Sequence, residues 1–381
     1  MTEFPLIIIG AGPAGLSTAL HLLQIDPTWA DRMVVLDRLA HPRHKLCGGG
    51  VTRLGLRYLR GLDLPDPLPI PFASVRDARF IYRDRTVHVR GRPEFVVFHR
   101  REFDHYLART AAERGVRIHE NIRVREIRIE PDGVLVKTDS SDYRAQAVVG
   151  ADGSRGVTRI KLAQASNLRK VPSLRVARLL EVVLPAEAEA PQFTGEFARF
   201  DFTPVAGDLQ GYTWNFPARV EGIPHHNLGV YDARIAAGRP RAALPDLLRR
   251  NLEERPPGPD GVKIEGHPIH WFSPRNRFSR ERLILAGDAA GAEPLFGEGI
   301  APALGYGKIA AQAVEDAFNH DDFSFKNYKR RILTSELGRY LLLRWWVAWW
   351  SYRLSGHPWF MHLMWTIGKG MAAVTNGRMR E

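Results

Sequence analysis

The sequence predicts an α/β fold: a Rossmann-like nucleotide-binding domain, interrupted by an antiparallel β-sheet domain and followed by a helical C-terminal segment. Three observations carry this. The chain opens with an apolar strand, a Gly-x-Gly-x-x-Gly turn, a helix and a second strand that ends on Asp37. A further strand, glycine-rich turn and small-residue helix follow at residues 282–300. Between them, from about residue 170 to 275, alternating apolar runs are separated by Pro and Gly, the pattern of an antiparallel sheet. The expected division assigns residues 1–72, 95–165 and 278–325 to the nucleotide domain. Residues 73–94 and 166–277 form the β-rich substrate domain, and 326–381 a helical, aromatic-rich tail.

In chain order, residues 6–9 read as a buried strand and 16–23 as the start of a helix. Residues 33–36 are a second strand, so the opening is a βαβ unit. Residues 103–113 form an amphipathic helix with Phe103, Leu107 and Ala111 on one face. Residues 116–118, 122–129 and 134–138 alternate like a meander, turning at Pro131, Asp132 and Gly133. Residues 147–149 are a strand leading into Gly150, Ala151, Asp152 and Gly153.

Composition narrows the function classes. A chain of 381 residues with 44% hydrophobic content builds substantial cores. Its one cysteine, Cys47, excludes an intramolecular disulfide, a CxxC couple and a Cys-rich metal site, and no metal site is expected. The net charge of +12 is scattered and accompanies no nucleic-acid motif, so no nucleic-acid partner is expected. The opening residues lack a signal-peptide pattern, and no apolar run reaches the roughly 20 residues of a spanning helix. Six of the nine tryptophans lie between Trp345 and Trp365, interleaved with arginines. Trp favours the membrane–water boundary, so residues 339–370 are expected to lie on a membrane surface, with the protein cytoplasmic and peripheral; packing against the enzyme's own body or a second subunit is the alternative. The oligomeric state is not legible.

The motifs carry chemistry. Gly10 makes the tight turn, Gly12 admits a pyrophosphate, and Gly15 lets the helix pack close to the strand. Asp37 stands where a carboxylate binds ribose hydroxyls. Arg100, at the start of a helix, can pair with a pyrophosphate, and Arg101 is an adjacent competitor. Asp288 after Gly287 can accept hydrogen bonds from a ribityl hydroxyl. Gly297 and Gly299 let backbone approach a ligand and open a helix N-terminus toward a growing negative charge. Tyr212, Trp214 and Phe216 alternate, so they share one strand face, either as an aromatic wall for an apolar ligand or as sheet packing.

Taken together, the Gly10–Gly15 turn, the Asp152-Gly153 string and the Gly287-Asp288 string resemble the flavoprotein superfamily of para-hydroxybenzoate hydroxylase type. The resemblance implies FAD as cofactor. Gly10, Gly12, Gly15 and Asp37 would hold its ADP half, and Arg100 and Asp152 would lie near the pyrophosphate and the isoalloxazine approach. Asp288 would bind the ribityl–pyrophosphate region, and Gly297, Gly299 and Ile300 would offer backbone at the pyrimidine edge. Ala14, Arg38, Val124, Gly153 and Gly287 complete the implied cofactor set.

Two further strings are similar to geranylgeranyl reductases. One is Lys45-Leu46-Cys47-Gly48-Gly49-Gly50. The other is Tyr212-Thr213-Trp214-Asn215-Phe216-Pro217, with Asn227-Leu228-Gly229-Val230 after it. They imply reduction of prenyl carbon–carbon double bonds beside the flavin. Cys47, Gly48 and Gly49 are then the catalytic candidates, and Tyr212, Trp214, Phe216 and Pro217 the substrate contacts. Leu228, Tyr231 and Glu298 depart from the family pattern. No second Gly-x-Gly-x-x-Gly unit is present, so the electron donor is NAD(P)H bound transiently or a small redox protein. The alternative activity is an FAD-dependent monooxygenase, a hydroxylase or halogenase of an apolar or aromatic substrate. Gly291, where many hydroxylases carry His, favours the reductase. A non-catalytic flavin-binding subunit of a membrane assembly is the alternative from another class.

Overall fold

The computed structural model describes residues 1–164, 176–253 and 262–377. The chain opens with β1 (Thr2–Ile9), α1 (Pro13–Ile25), α2 (Trp29–Arg32) and β2 (Met33–Leu36). It then passes through β3 (Gly50–Thr52), α3 (Arg53–Arg60), β4 (Phe72–Tyr82) and β5 (Arg85–Phe98). Next come α4 (Arg100–Glu113), β6 (Arg117–His119), β7 (Val124–Glu130), β8 (Gly133–Thr138), β9 (Tyr143–Gly150) and α5 (Val157–Gln164). A second excursion holds β10 (Val176–Pro185), α6 (Pro191–Thr194), β11 (Phe197–Asp201), β12 (Gly211–Val220), β13 (Ile223–Asp232), α7 (Leu244–Glu253) and β14 (Glu265–His270). The chain returns through β15 (Ser279–Arg280), β16 (Leu283–Leu285) and α8 (Ile300–His320), and ends in α9 (Tyr328–Thr334), α10 (Glu336–Leu354) and α11 (Pro358–Gly377).

Two sheets result. In the first, β16, β9, β1, β2 and β6 pair in parallel, in that order. Leu6, Ile7, Ile8 and Val148 are fully buried, as expected of central strands covered on both faces. β7 and β8 extend from β9 as an antiparallel meander. Residues 116–118, read from the sequence as part of that meander, instead give β6, a parallel neighbour of β2. Alternation marks a strand without naming its partner.

The second sheet runs β14-β10-β13-β12-β11-β4-β5-β3. It is antiparallel except for β11 and β4, which pair in parallel. These two strands belong to separate excursions of the chain, so no hairpin dictates their direction. The turns at Gly10 and Gly287 and the start of α8 stand at the carboxyl ends of β1 and β16, facing the aromatic side of the second sheet.

The tail packs on the body with one face and leaves the other bare. Ser335 caps α10 by accepting from the Gly338 N–H at 3.0 Å. Leu337, Leu341, Ala348 and Tyr352 of α10 are buried, while Leu343, Trp346 and Trp350 are exposed. On α11, Phe360, Met361 and Trp365 bury with Tyr82 and Val87 of β4 and β5. Trp359, Leu363, Ile367, Met371 and Val374 stay exposed. Among the described residues, no helix is long and apolar enough to cross a membrane. The expected domain boundary at residues 165 and 166, and residues 378–381 of the expected tail, lie outside the described residues.

Candidate functional site

A cavity of about 920 Å³ lies between the two sheets. Its nucleotide end is built from backbone. Gly10 has φ +110°, and a Cβ there would lie 2.4 Å from the Ala151 carbonyl oxygen. A Cβ on Gly15 would lie 1.9 Å from the Gly10 oxygen, so α1 starts hard against the β1 turn. Gly12 is the N-cap of α1, makes no side-chain cap and faces the cavity. At the end of β2, the Asp37 carboxylate accepts from the N–H groups of Ala11 (2.7 Å) and Leu39 (3.0 Å). Arg43 stands 3.6 Å from Asp37 and 3.4 Å from Asp104, with its Nε buried and unpartnered among the described residues.

Arg100 opens α4 inside the cavity wall and donates from Nε and Nη2 to Asp104 at 2.7 and 2.8 Å. That guanidinium lowers the Asp104 pKa against the effect of burial. Its competitor Arg101 is exposed and pairs with Glu221 at 3.8 Å. Asp152 lines the cavity but spends its carboxylate locally, accepting from the backbone N–H of Thr158 at 3.0 Å and from its hydroxyl. After β16, Gly287 takes φ +62°, where a Cβ would lie 2.7 Å from the Ala14 Cβ. Asp288 follows, and among the described residues its carboxylate has no hydrogen bond. Gly299, the N-cap of α8, also makes no side-chain cap. Gly297, at φ +72°, packs against the Tyr231 ring. Ala14, Arg38, Val124, Gly153 and Ile300 complete this end of the lining.

The other end is aromatic. Tyr212, Trp214 and Phe216 line it with Phe80, Phe95, Phe200 and Phe296. Phe216 stands 4.9 Å from Phe200 and 5.6 Å from Phe95, ring centre to ring centre. A Cβ on Gly229 would lie 2.1 Å from the Trp214 ring, so glycine on β13 makes room for the indole. Pro217, expected as a substrate contact, does not line the cavity. It follows Phe216 directly, and successive strand residues point to opposite faces. Gly15 is likewise absent from the lining and acts through helix packing alone.

The Cys47 loop lies between the two ends. A Cβ on Gly48 would touch Phe216 at 3.3 Å, and one on Gly49, at φ +72°, would lie 2.1 Å from the Phe98 carbonyl oxygen. The Cys47 sulfur accepts from the Gly49 N–H at 3.4 Å. Burial pushes the thiol up, and the Arg100 guanidinium opposes it.

Several side chains outside the expected site set complete the site. Lys45 donates to His267 Nε2 at 2.9 Å, and burial pushes His267 down to about 3, so this imidazole is a neutral acceptor. Asn227 accepts from the Trp214 indole N–H at 2.8 Å and donates to the Cys47 carbonyl at 3.3 Å and to Glu181 at 3.0 Å. Glu298 accepts from the hydroxyls of Thr52, at 2.7 Å, and Tyr340, so the tail reaches the flank of the site. Tyr231, a departure from the family pattern, donates to the Pro294 carbonyl at 2.9 Å and shapes the turn before Gly297. Lys45 and Asn227 carried a signal, their places in the two family-like strings, and Tyr231 and Glu298 carried one as departures from the pattern, whereas His267, Glu181, Thr52 and Tyr340 carried none.

A family model described as an FAD binding domain matches residues 3–205. The chain belongs to that family. It is 27% identical over 343 residues to digeranylgeranylglycerophospholipid reductase 2 of Methanopyrus kandleri, across 86% of this chain and 81% of that protein. Its fold matches a geranylgeranyl bacteriochlorophyll reductase-like protein of Thermoplasma acidophilum, with a TM-score of 0.76 and 20% identity over 98% of this chain and 92% of the other. It also matches a point variant of the halogenase PltM in complex with FAD, with a TM-score of 0.68 and 19% identity over 92% and 77% of the two chains. The protein is an FAD-dependent oxidoreductase.

The residues present fit FAD. Two helix N-termini without side-chain caps, at Gly12 and Gly299, face one cavity. The unpartnered Arg43 Nε and the half-buried Lys45 add positive charge suited to a pyrophosphate. The Asp288 carboxylate, also in the lining, is free to accept from hydroxyl groups.

Proposed function

We propose that the protein saturates carbon–carbon double bonds of a prenyl chain at a membrane surface. The observation that carries this reading is the aromatic wall of Tyr212, Trp214, Phe216, Phe95 and Phe200. It faces the glycine turns across one cavity, with a lone thiol between. Similarity to digeranylgeranylglycerophospholipid reductases supports the same substrate class.

Bound FAD, once reduced, supplies a hydride equivalent. An alkene without a conjugated carbonyl has no group to take up the resulting negative charge, so a proton must reach its other carbon in concert. Cys47 is the candidate donor. Its half-buried thiol keeps the proton, and Arg100 stabilises the thiolate left behind. The aromatic wall excludes water and holds an apolar chain by area rather than by hydrogen bonds. Gly48 and Gly49 bring the loop against Phe216 and Phe98 without side chains in the way.

The bare face of the tail supports membrane docking. Leu343, Trp346 and Trp350, with Trp359, Leu363 and Ile367, are exposed, and exposed Arg339, Arg353 and Lys369 accompany them. Electrons would come from NAD(P)H bound transiently or from a small redox protein.

The test is anaerobic incubation of dithionite-reduced, FAD-loaded enzyme with a panel of prenyl lipids, read by mass spectrometry. Gain of two hydrogens per double bond is the expected result. No gain across the panel, with oxygenated or halogenated products in air, would replace this reading by the monooxygenase or halogenase one.

A further inference from the structure

Glu181 lies on β10 beneath the Cys47 loop and is 4% exposed. Among the described residues it forms no ion pair. One carboxylate oxygen accepts from Asn227 Nδ2 at 3.0 Å, and the other, Oε2, is buried without a hydrogen-bond partner. A buried carboxylate held this way is costly when ionised. Asn227 also holds the Trp214 indole and the Cys47 carbonyl. One amide therefore joins the acid, the thiol loop and the aromatic wall.

We propose that Glu181 is a positioning residue of the reducing site. It anchors the amide that holds Cys47 and Trp214, and its ionisation sets how readily the Cys47 thiol gives up a proton. This rests on the reading of Cys47 as proton donor. The proton leaves sulfur for the substrate carbon, and the thiolate remains beside Arg100 until solvent reprotonates it. Neutral Glu181 permits that thiolate. Ionised Glu181 sets a like charge beside it and keeps the proton on sulfur, which is why its charge raises the Cys47 pKa.

The groups facing Glu181 are few. Asn227 on β13, Arg100 on α4 and the Cys47 backbone favour its ionised form, while Glu265 on β14 opposes it. Burial outweighs the three and pushes Glu181 up to about 7, so the change falls near neutrality.

The chain has one cysteine, so protein labelled with carbon-13 at cysteine Cβ gives one resonance that needs no assignment. In the full-length, oxidised, FAD-loaded protein this resonance is expected to move twice as pH rises. The first step, near pH 7, reports Glu181, and the later one reports the thiol. In Glu181→Gln, whose amide oxygen still accepts from Asn227, the first step disappears. The second moves to lower pH, giving roughly threefold more thiolate at a fixed pH. A step near neutrality that survives in Glu181→Gln, or a thiol step that does not move, overturns the proposal. Should the variant fail to fold, the wild-type titration decides: a single step, with none before thiol ionisation, overturns it. The measurement uses no substrate, so its failure is separate from failure of the prenyl assay.

Discussion

The thiol of Cys47 sits between burial, which keeps its proton on, and the Arg100 guanidinium, which favours the thiolate. That balance suits a donor able to act on a carbon. Cys47→Ala is expected to lower turnover by about 10²-fold while FAD affinity stays unchanged, as measured by steady-state kinetics and flavin titration. Unchanged turnover would remove Cys47 from the chemistry. Glu181 makes a stability prediction as well. Its folded pKa is raised from 4.5 to about 7. Below the unfolded value both states are neutral and its contribution is complete. Between the two values the unfolded chain ionises first, so stability falls by up to about 3 kcal/mol as pH rises. Glu181→Gln should remove that loss, gaining on the wild type in thermal midpoint between pH 5 and 7. Parallel melting curves across that range would contradict it. His21 has the opposite sign: burial lowers it from 6.5 to about 4, so its contribution is present above 6.5 and lost as pH falls.

Secondary-structure elements position the site through close backbone approach. Gly15 and Gly12 belong to one turn but predict different outcomes. A Cβ at Gly15 meets the Gly10 oxygen at 1.9 Å, whereas at Gly12 the nearest atom is the Arg43 guanidinium at 3.5 Å. Gly15→Val should therefore push α1 off β1 and cost about 3 kcal/mol or more, seen as a lower midpoint in urea. Gly12→Ala should fold with nearly normal stability yet bind FAD at least roughly tenfold more weakly, because the added methyl occupies space meant for the pyrophosphate. Equal loss of stability in both would mean that the turn is only structural. The same logic made these elements legible in the sequence. Residues 33–36 are a strand as expected, and the helix expected from Phe103 begins at Arg100. The failures came from pairing: β6 joined β2, and β11 joined β4 in parallel, because alternation carries no information about a distant partner.

At the scale of the whole molecule, the tail serves two surfaces. α10 reaches the site through Tyr340 on Glu298 and through Tyr352, which donates to the Leu295 carbonyl. Its far side, with that of α11, is a bare aromatic and aliphatic face. Removing the tail would therefore damage the site along with any membrane contact, and surface substitution is the cleaner test. Trp346→Glu, Trp350→Glu and Trp359→Glu together should weaken sedimentation with anionic vesicles by roughly tenfold or more. Turnover on a detergent-dispersed prenyl substrate should be unaffected. Vesicle binding equal to that of the wild type would assign this face to something other than a membrane.

What the sequence determined by itself is local and backbone-borne. The glycines at 10, 12, 15, 287, 297 and 299 announce tight turns, and the resemblance of those turns and the Asp152-Gly153 string to a flavoprotein superfamily implies the cofactor class. The period-two string at 212–216 likewise announces an aromatic strand face. What only the tertiary structure decided are the contacts between distant segments. Glu181 is unremarked in its own surroundings, and Asn227 and Cys47 stand in separate strings; the three become one network only when β10, β13 and the loop before β3 meet. Tyr340 and Glu298 are likewise joined only by the docking of α10. Backbone geometry is set by neighbours in the chain, whereas the electrostatics of a buried acid or thiol are set by whatever the fold brings beside it.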